Sequence, residues 1–210
     1  VTAASPSRRE RRKAQTRGAL LAAAQELLAA GRAEVSIKEI TERADVGFGS
    51  FYNHFASKEE LFEAAVLQAF DAHGTWLEEM LAAEDDPAAV FAASVRLTGR
   101  LVRTAPTLAQ VLMTATGSLL VADRGLAPRA RRDLVRAAEA GRFAIEEPDV
   151  ALACASGALI GVMHLLVAQP SADVDATVDA MVGLVLRMLG MPADEAKALA
   201  TRPLPTGDAP

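Results

Sequence analysis

Between Ser36 and Lys58 the chain reads SIKEITERADVGFGSFYNHFASK, a stretch that admits two short helices about a tight turn and little else. Ser36 followed by Glu39 and then apolar Ile40 has the capping-box spacing, in which each side chain takes up a backbone donor left free at a helix start. Ile37, Ile40 and Ala44 recur at helical spacing and turn one face inward, leaving Lys38, Glu42 and Arg43 to water. Asp45 and Val46 form the break. Gly47 and Gly49 weaken the second helix as an independent unit, but they let its backbone come close to another surface. Small residues at the front of a short helix suit an element pressed into a groove.

The run from Val46 to Phe55, VGFGSFYNHF, followed by Ser57, Lys58 and Glu59, resembles the N-terminal DNA-binding domain of the TetR family of bacterial transcriptional regulators. The resemblance covers roughly the first third of the chain without a gap; beyond it the likeness is only one of helical layout. Gly47, Phe48 and Ser50 are candidates for the base-facing surface, with Gly49 also at the DNA. The resemblance implies that Ser36, Lys38, Tyr52, His54 and Lys58 contact phosphates, capping or packing being the alternative for His54. Thr16 and Arg17 sit where the resemblance places further phosphate contacts. Phe51 and Phe55 are expected in the core. Where many relatives carry Ser-Lys before the glycine, this chain has Gly47-Phe48, which removes one cation. Phe48 either touches a thymine methyl or turns inward.

Charge is divided unevenly. Residues 1 to 58 hold ten Lys or Arg against six acids, a net +4, while residues 59 to 210 hold twelve against twenty-one, a net −9, which sum to the −5 of the whole chain. Phosphate binding needs local cations, so the basic end is the one suited to a duplex. Arg8, Arg9, Arg11, Arg12 and Lys13 form either a flexible arm reaching into a minor groove or a solubilising tail.

Half of the residues are apolar, Ala and Leu abound, and Gly and Pro fall at helix ends. The expected fold is all-α: an N-terminal three-helix helix-turn-helix domain (1–58), a larger helical effector-binding and dimerisation domain (59–200), and a disordered tail (201–210). Helices are expected from Arg9 to Ala30, stopped by Gly31; from Ser57 toward Leu81 with Ser57 and Glu60 as a capping box; from Asp86 to Thr104; from Pro106 toward Thr116; from Pro128 to Phe143; and over 149–168, 175–189 and Pro192–Ala200.

Val150 to Ala168 has only Ser156 and His164 as clearly polar members, and it is long enough to span a bilayer. Its many Ala and Gly residues, the lack of flanking anchors and the second apolar helix that follows favour helix packing in a protein interior, with no membrane partner. The resemblance implies a homodimer whose last two long helices form a four-helix interface, here Cys154, Gly157, Ala158 and Gly161 with Val178, Val182, Val185 and Leu189. Cys154 itself reads as a small core residue rather than a redox sensor. A single Cys makes no internal disulfide, and no convincing secretory signal precedes it, so a cytoplasmic location is expected.

The resemblance also implies a small-molecule effector bound within the second half, and a double-stranded DNA operator, palindromic to match the dimer. His73, Trp76, Met80, Phe91, Arg103, Met113, Phe143, Met163 and His164 are candidate lining residues, each with core packing or a helix-end role as the alternative. His54, His73 and His164 lack metal-ligand spacing and no phosphate-cradling glycine loop occurs, so no enzyme activity, cofactor or metal is expected. The resulting expectation is a ligand-released repressor. The alternative is a helical ligand-binding or interaction protein that has lost DNA binding, against which Tyr52, His54 and Lys58 stand intact.

Overall fold

The computed structural model describes residues 7–114, 124–205 and 207, and among these the regular elements are all helices. The chain divides into two compact units, Val1–Gln68 and Ala69–Pro210.

The first unit opens with α1 (Arg8–Ala29), which starts on a reciprocal capping box: Ser7 Oγ accepts from Glu10 N–H, and Glu10 accepts from Ser7 N–H. The sequence reading missed this cap. The helix begins at Arg8, one residue before the expected start at Arg9, so all five cations from Arg8 to Lys13 lie in the first turns of a capped helix rather than in a flexible arm or a tail. Gly31 ends α1 as expected, at φ +68°, with Arg32 N–H donating to Leu27 O and Gly31 N–H to Leu28 O.

Next come α2 (Ile37–Arg43) and α3 (Phe48–Phe51), joined by a turn in which Asp45 takes φ +52°. Ser36 caps α2 by accepting from Glu39 N–H at 3.2 Å, but the box is one-sided, since the Glu39 carboxylate is paired with Arg32 instead. The first turns of α4 (Lys58–Met80) complete the unit, with Leu61 and Ala65 fully buried. That burial carries the first compact unit to Gln68, past the boundary expected at residue 58. Its core holds Leu20, Ala24, Leu27, Ile40, Phe51 and Leu61, all at most 1% exposed. Gln25 Nε2 donating to Ala65 O and the Arg43–Glu26 pair tie α1 to α4 and α2.

The second unit begins within α4 and continues through α5 (Pro87–Gly99), α6 (Leu101–Thr104), α7 (Pro106–Thr114), α8 (Leu126–Glu139), α9 (Pro148–Ala168), α10 (Val174–Met188) and α11 (Ala193–Thr201). The expected run from Asp86 to Thr104 is thus two helices meeting at Arg100. The last residues expected in the Pro106 helix lie outside the described residues. Its core is built chiefly from α5, α8, α9, α10 and α11, with Phe91, Leu134, Leu152, Val178, Val182 and Leu186 at the centre.

A ladder of ion pairs crosses this core. Arg96, 3% exposed, forms a two-pronged pair with Asp179 at 2.8 and 3.0 Å; Arg100 reaches the same carboxylate at 3.0 Å, and Arg103 pairs in the same two-pronged way with Asp175. Arg96 also donates to Arg202 O, and Arg202 itself pairs with Glu84 at 2.9 Å. Arg202 is therefore fixed, not part of a disordered tail as expected; of the residues after it, 206 and 208–210 lie outside the described residues.

Removing one partner of a buried ion pair strands the other charge. Asp179→Ala is expected to lower stability by about 3 to 5 kcal/mol in urea unfolding, whereas Arg96→Met combined with Asp179→Leu recovers most of that loss. Equal losses in both variants would contradict the assignment of Arg96 as a buried, paired charge.

Candidate nucleic-acid interface and interior cavity

In the first unit the four residues of α3 divide by role. Phe51 is completely buried and Phe55, in the turn that follows, is 2% exposed, so these two rings anchor the segment as expected. Phe48 is 53% exposed and Tyr52 56%, and the two rings meet edge to face with centroids 5.9 Å apart. That settles the orientation of Phe48: it points out, not inward. Gly47 and Gly49 are exposed and Ser50 is half-buried, so the outer surface of α3 is small and apolar, flanked by aromatic rings.

The residues expected at phosphates lie on α1, at the start of α2, after α3 and at the start of α4. Ser36 and Lys38 are exposed at the start of α2, where Lys38 has only a loose pair with Glu42 at 3.8 Å. Lys58 pairs with Glu34 at 3.2 Å, and must give up this exposed acid to meet a phosphate. Arg17 lies over the Phe55 ring, its guanidinium carbon 5.0 Å from the centroid, and Thr16 beside it is half-buried. Burial, reinforced by Lys13 and Arg17, holds the His54 imidazole below its ordinary pKa. A neutral imidazole offers a phosphate one N–H and no charge. Its Nδ1 is buried without a hydrogen-bond partner among the described residues.

In the second unit a cavity of about 970 Å³ is lined by residues of α4, α5, α7, α8 and α9. Of the residues singled out from the sequence, Phe91, Met113 and Met163 line it. The other six do not. His73 is completely buried behind the wall, bonded to Thr98 and stacked on Trp76; Met80 lines a separate cavity of about 200 Å³; Arg103 is occupied by Asp175; Phe143 packs edge-on against Phe91; and His164 is exposed on α9. Of these six only His73 and Phe143 are buried in the core; Trp76 and Met80 are half-buried, and Arg103 and His164 face outward.

Sequence reasoning missed the charged part of that wall. Glu78 of α4 pairs with Arg132 at 3.0 Å and with Arg129 at 3.4 Å, and Arg132 pairs with Asp133 at 3.3 Å. Arg129 also binds Asp71 at 3.1 Å. Gly74 makes this arrangement fit, because a Cβ there would stand 2.7 Å from Arg129 Cδ. Asp133 is 8% exposed; burial lifts its carboxyl above the usual range against the pull of Arg132. Its second oxygen has no partner among the described residues. The spacing of Arg129 and Arg132, three apart on one helix and opposite a mid-helix glycine, was the signal available.

The dimer residues also need correction. Val178, Val182, Val185 and Leu189 are 0 to 3% exposed within the protomer's own core, so they have no surface left to cover a partner. Cys154, Gly157 and Gly161 are exposed and Ala158 is half-buried; Cys154 is therefore not the core residue expected. Among the described residues α9 is the one helix long and apolar enough to cross a membrane, and 22% of that window is buried within the protomer. The exposed large apolar residues of α9 and α10 are Val150, Leu165, Val167, Leu184 and Met188. Among the described residues no cluster of His, Cys, Asp and Glu could hold a metal.

Family models place these two regions in a wider context. Residues 20–65 match the model of bacterial regulatory proteins of the tetR family, and residues 86–202 match that of the tetracyclin repressor-like C-terminal domain. None of the curated proteins matches the chain. Among solved structures, RolR in complex with resorcinol is 37% identical, with a TM-score of 0.75 over 93% of this chain and 98% of that one. RolR without ligand gives a TM-score of 0.70 at 37% identity, over 89% of this chain and 97% of that one. SmeT, the repressor of a Stenotrophomonas maltophilia multidrug efflux pump, shares the fold at 20% identity, with a TM-score of 0.68 over 92% of this chain and 100% of that one.

His73 gives the second unit a titration signature. Thr98 donates its only hydroxyl hydrogen to Ser94 O, so His73 Nε2 must donate to Thr98, and burial pushes the His73 pKa down to about 4. A histidine depressed in the folded state binds its proton more readily when unfolded, so stability is complete above about pH 6.5 and is lost as the pH falls toward 4. Relative to His73→Gln, the wild-type protein is expected to lose on the order of 3 kcal/mol over that window in urea titrations. Parallel pH profiles for the two proteins would refute the buried neutral imidazole.

Proposed function

Since this chain belongs to the TetR family of ligand-responsive DNA-binding transcriptional regulators, we propose that it is a homodimeric repressor that leaves a palindromic operator when a small hydroxylated aromatic compound fills its cavity. The observation that carries the ligand class is the mixed wall at Glu78, Arg132 and Asp133, in a chain 37% identical to a regulator solved with resorcinol. A phenolic hydroxyl both donates and accepts. The unpartnered Asp133 oxygen suits its hydrogen and Arg132 suits its oxygen, while the ring packs on Phe70, Leu77 and Met163. The volume lies within the roughly 300–1,000 Å³ of small-molecule sites, with room for substituents on the ring.

On the DNA side, Phe48 and Ser50 read bases, with apolar Phe48 matched to thymine methyl groups, while Ser36, Lys38, Tyr52, His54, Lys58, Thr16 and Arg17 hold phosphates. Two copies meet through the uncovered faces of α9 and α10, with Val150, Leu165, Leu184 and Met188 as the apolar contacts and Gly157 and Gly161 allowing close approach. Each dimer then presents two reading heads to half-sites about one helical turn apart, or a multiple of it. Release requires the ligand to bind the DNA-incompetent conformation more tightly, because equal affinity for both would shift nothing. α4 contributes both to the first unit's core, through Leu61, and to the cavity wall, through Gly74 and Glu78.

Binding to duplexes from the gene's own upstream region, measured across a salt series, is expected to be steeply salt-dependent and to yield a palindromic footprint. Phe48→Ala should alter sequence preference with little change in the salt slope. Added resorcinol is expected to release the wild-type protein, and Asp133→Asn to keep DNA binding while needing at least tenfold more resorcinol. A DNA complex indifferent to resorcinol and to other dihydroxybenzenes would refute the ligand class and leave the DNA assignment standing.

Dimerisation has its own check. Leu184→Glu with Met188→Glu should yield a folded monomer by sedimentation, whereas a dimer in that variant would move the interface elsewhere.

A further inference from the structure

We propose that the first three turns of α1 form a second DNA-contacting surface, in which Arg9 and Lys13 extend the phosphate contacts of Arg17 along the duplex backbone beyond the reading head. This rests on the DNA-binding reading above and concerns residues outside the helix-turn-helix motif.

The observation behind it is a helix with nothing to pack on. From Ser7 to Gln15 every residue is exposed, and the buried face of α1 begins only at Leu20. Helices usually persist because one face is covered. Here the segment is instead closed by the Ser7–Glu10 capping box, and it carries like charges four residues apart, at Arg8 and Arg12 and at Arg9 and Lys13. Such pairs repel. Arg9 and Lys13 have no acidic partner among the described residues, so the repulsion is uncompensated within the first unit. A polyanion alongside would reverse its sign.

The direction of the charge identifies the polyanion. Arg9, Lys13 and Arg17 follow one another at intervals of four, and the same stripe continues into Leu20, Leu21, Ala24 and Leu28, the residues α1 buries against the rest of the head. These three cations thus occupy the face that looks toward the helix-turn-helix, whereas Arg11 lies on another side of α1. Arg17 touches the Phe55 ring, and Lys13 with Arg17 is close enough to His54 to weaken its hold on a proton. The basic stripe therefore runs directly out of the phosphate-binding motif. Its three cations recur every ~6 Å along the helix axis.

Helical order also decides how the contact is made. An α-helix with its side chains is roughly 10–12 Å across, too wide for a minor groove of about 6 Å. A flexible arm inserted there is replaced by a rigid rod lying along the phosphates.

The test compares three proteins on one palindromic operator, carried on a short duplex and on one extended at both ends. Arg9→Gln with Lys13→Gln removes two cations from the stripe in each subunit; Arg11→Gln removes one from another side of α1. If all four cations removed from a dimer meet phosphates in the wild type, the double variant is expected to lower the slope of log K against log salt by about 3 to 4. It should also abolish the gain in affinity that the wild-type protein obtains from the longer duplex, with the same footprint sequence. Arg11→Gln should leave the slope within about half a unit of wild type. An unchanged slope in the double variant, or an equal loss per charge in Arg11→Gln, would overturn the proposal, the second result meaning a diffuse basic tail. Circular dichroism and melting of each variant check that the head stays folded. Failure of the wild-type protein to bind any duplex would instead overturn the regulator reading on which this one stands.

Discussion

The burial of Phe51 is the constraint on which the first unit depends. A helix of four residues has no stability of its own, because nucleation costs more than so few hydrogen bonds return. α3 exists because Phe51, and Phe55 one turn later, are sealed into a core with Leu20, Leu27, Ile40 and Leu61. Asp45 in the left-handed region and the Ser36 cap on α2 set the angle at which the chain enters that core. The outward direction of Phe48 and Tyr52 follows from where their neighbours are anchored.

The second unit uses charge where the first uses aromatic burial. Arg96, Arg100 and Arg103 fall on one side of α5 and α6 and meet Asp175 and Asp179 of α10, so two helices that also share an apolar core are held in a single register. The cavity wall repeats the device on α4 and α8, with Arg129 and Arg132 meeting Asp71 and Glu78. The two networks differ in what they leave over. Arg96 is enclosed with its partners satisfied, whereas the pairs at Glu78 and Asp133 border open space. One network holds two helices in register, and the other lines a cavity.

Local signals carried most of the helix boundaries. Gly31, Pro87, Pro106 and the motif at Val46 to Phe55 each encode their own geometry, so the N-terminal unit and the all-α class could be read directly. What failed was non-local. Val178, Val182, Val185 and Leu189 are apolar at helical spacing, and nothing in a sequence says whether such a stripe meets its own chain or another; α11 and α5 settle it by covering them. Arg129 and Arg132 look like solvated charge until Gly74, more than fifty positions earlier, gives Arg129 a place to lie and Glu78 meets Arg132. His73 looked like a lining residue and proved to be held behind the wall by Thr98. The basic residues at the start of α1 were legible as charge, while their order depended on a cap, Ser7 with Glu10, that lies in plain view in the sequence.

The split within α3 has a consequence for how such proteins diversify. Anchoring is assigned to Phe51 and Phe55, and the outward surface to Phe48, Gly49 and Ser50, with no residue shared between the two tasks. Replacing the outward residues therefore leaves Phe51 and Phe55 in place, and on the base-reading role proposed above a search for a new target site needs no compensating mutations in the scaffold. A four-residue helix makes that search small.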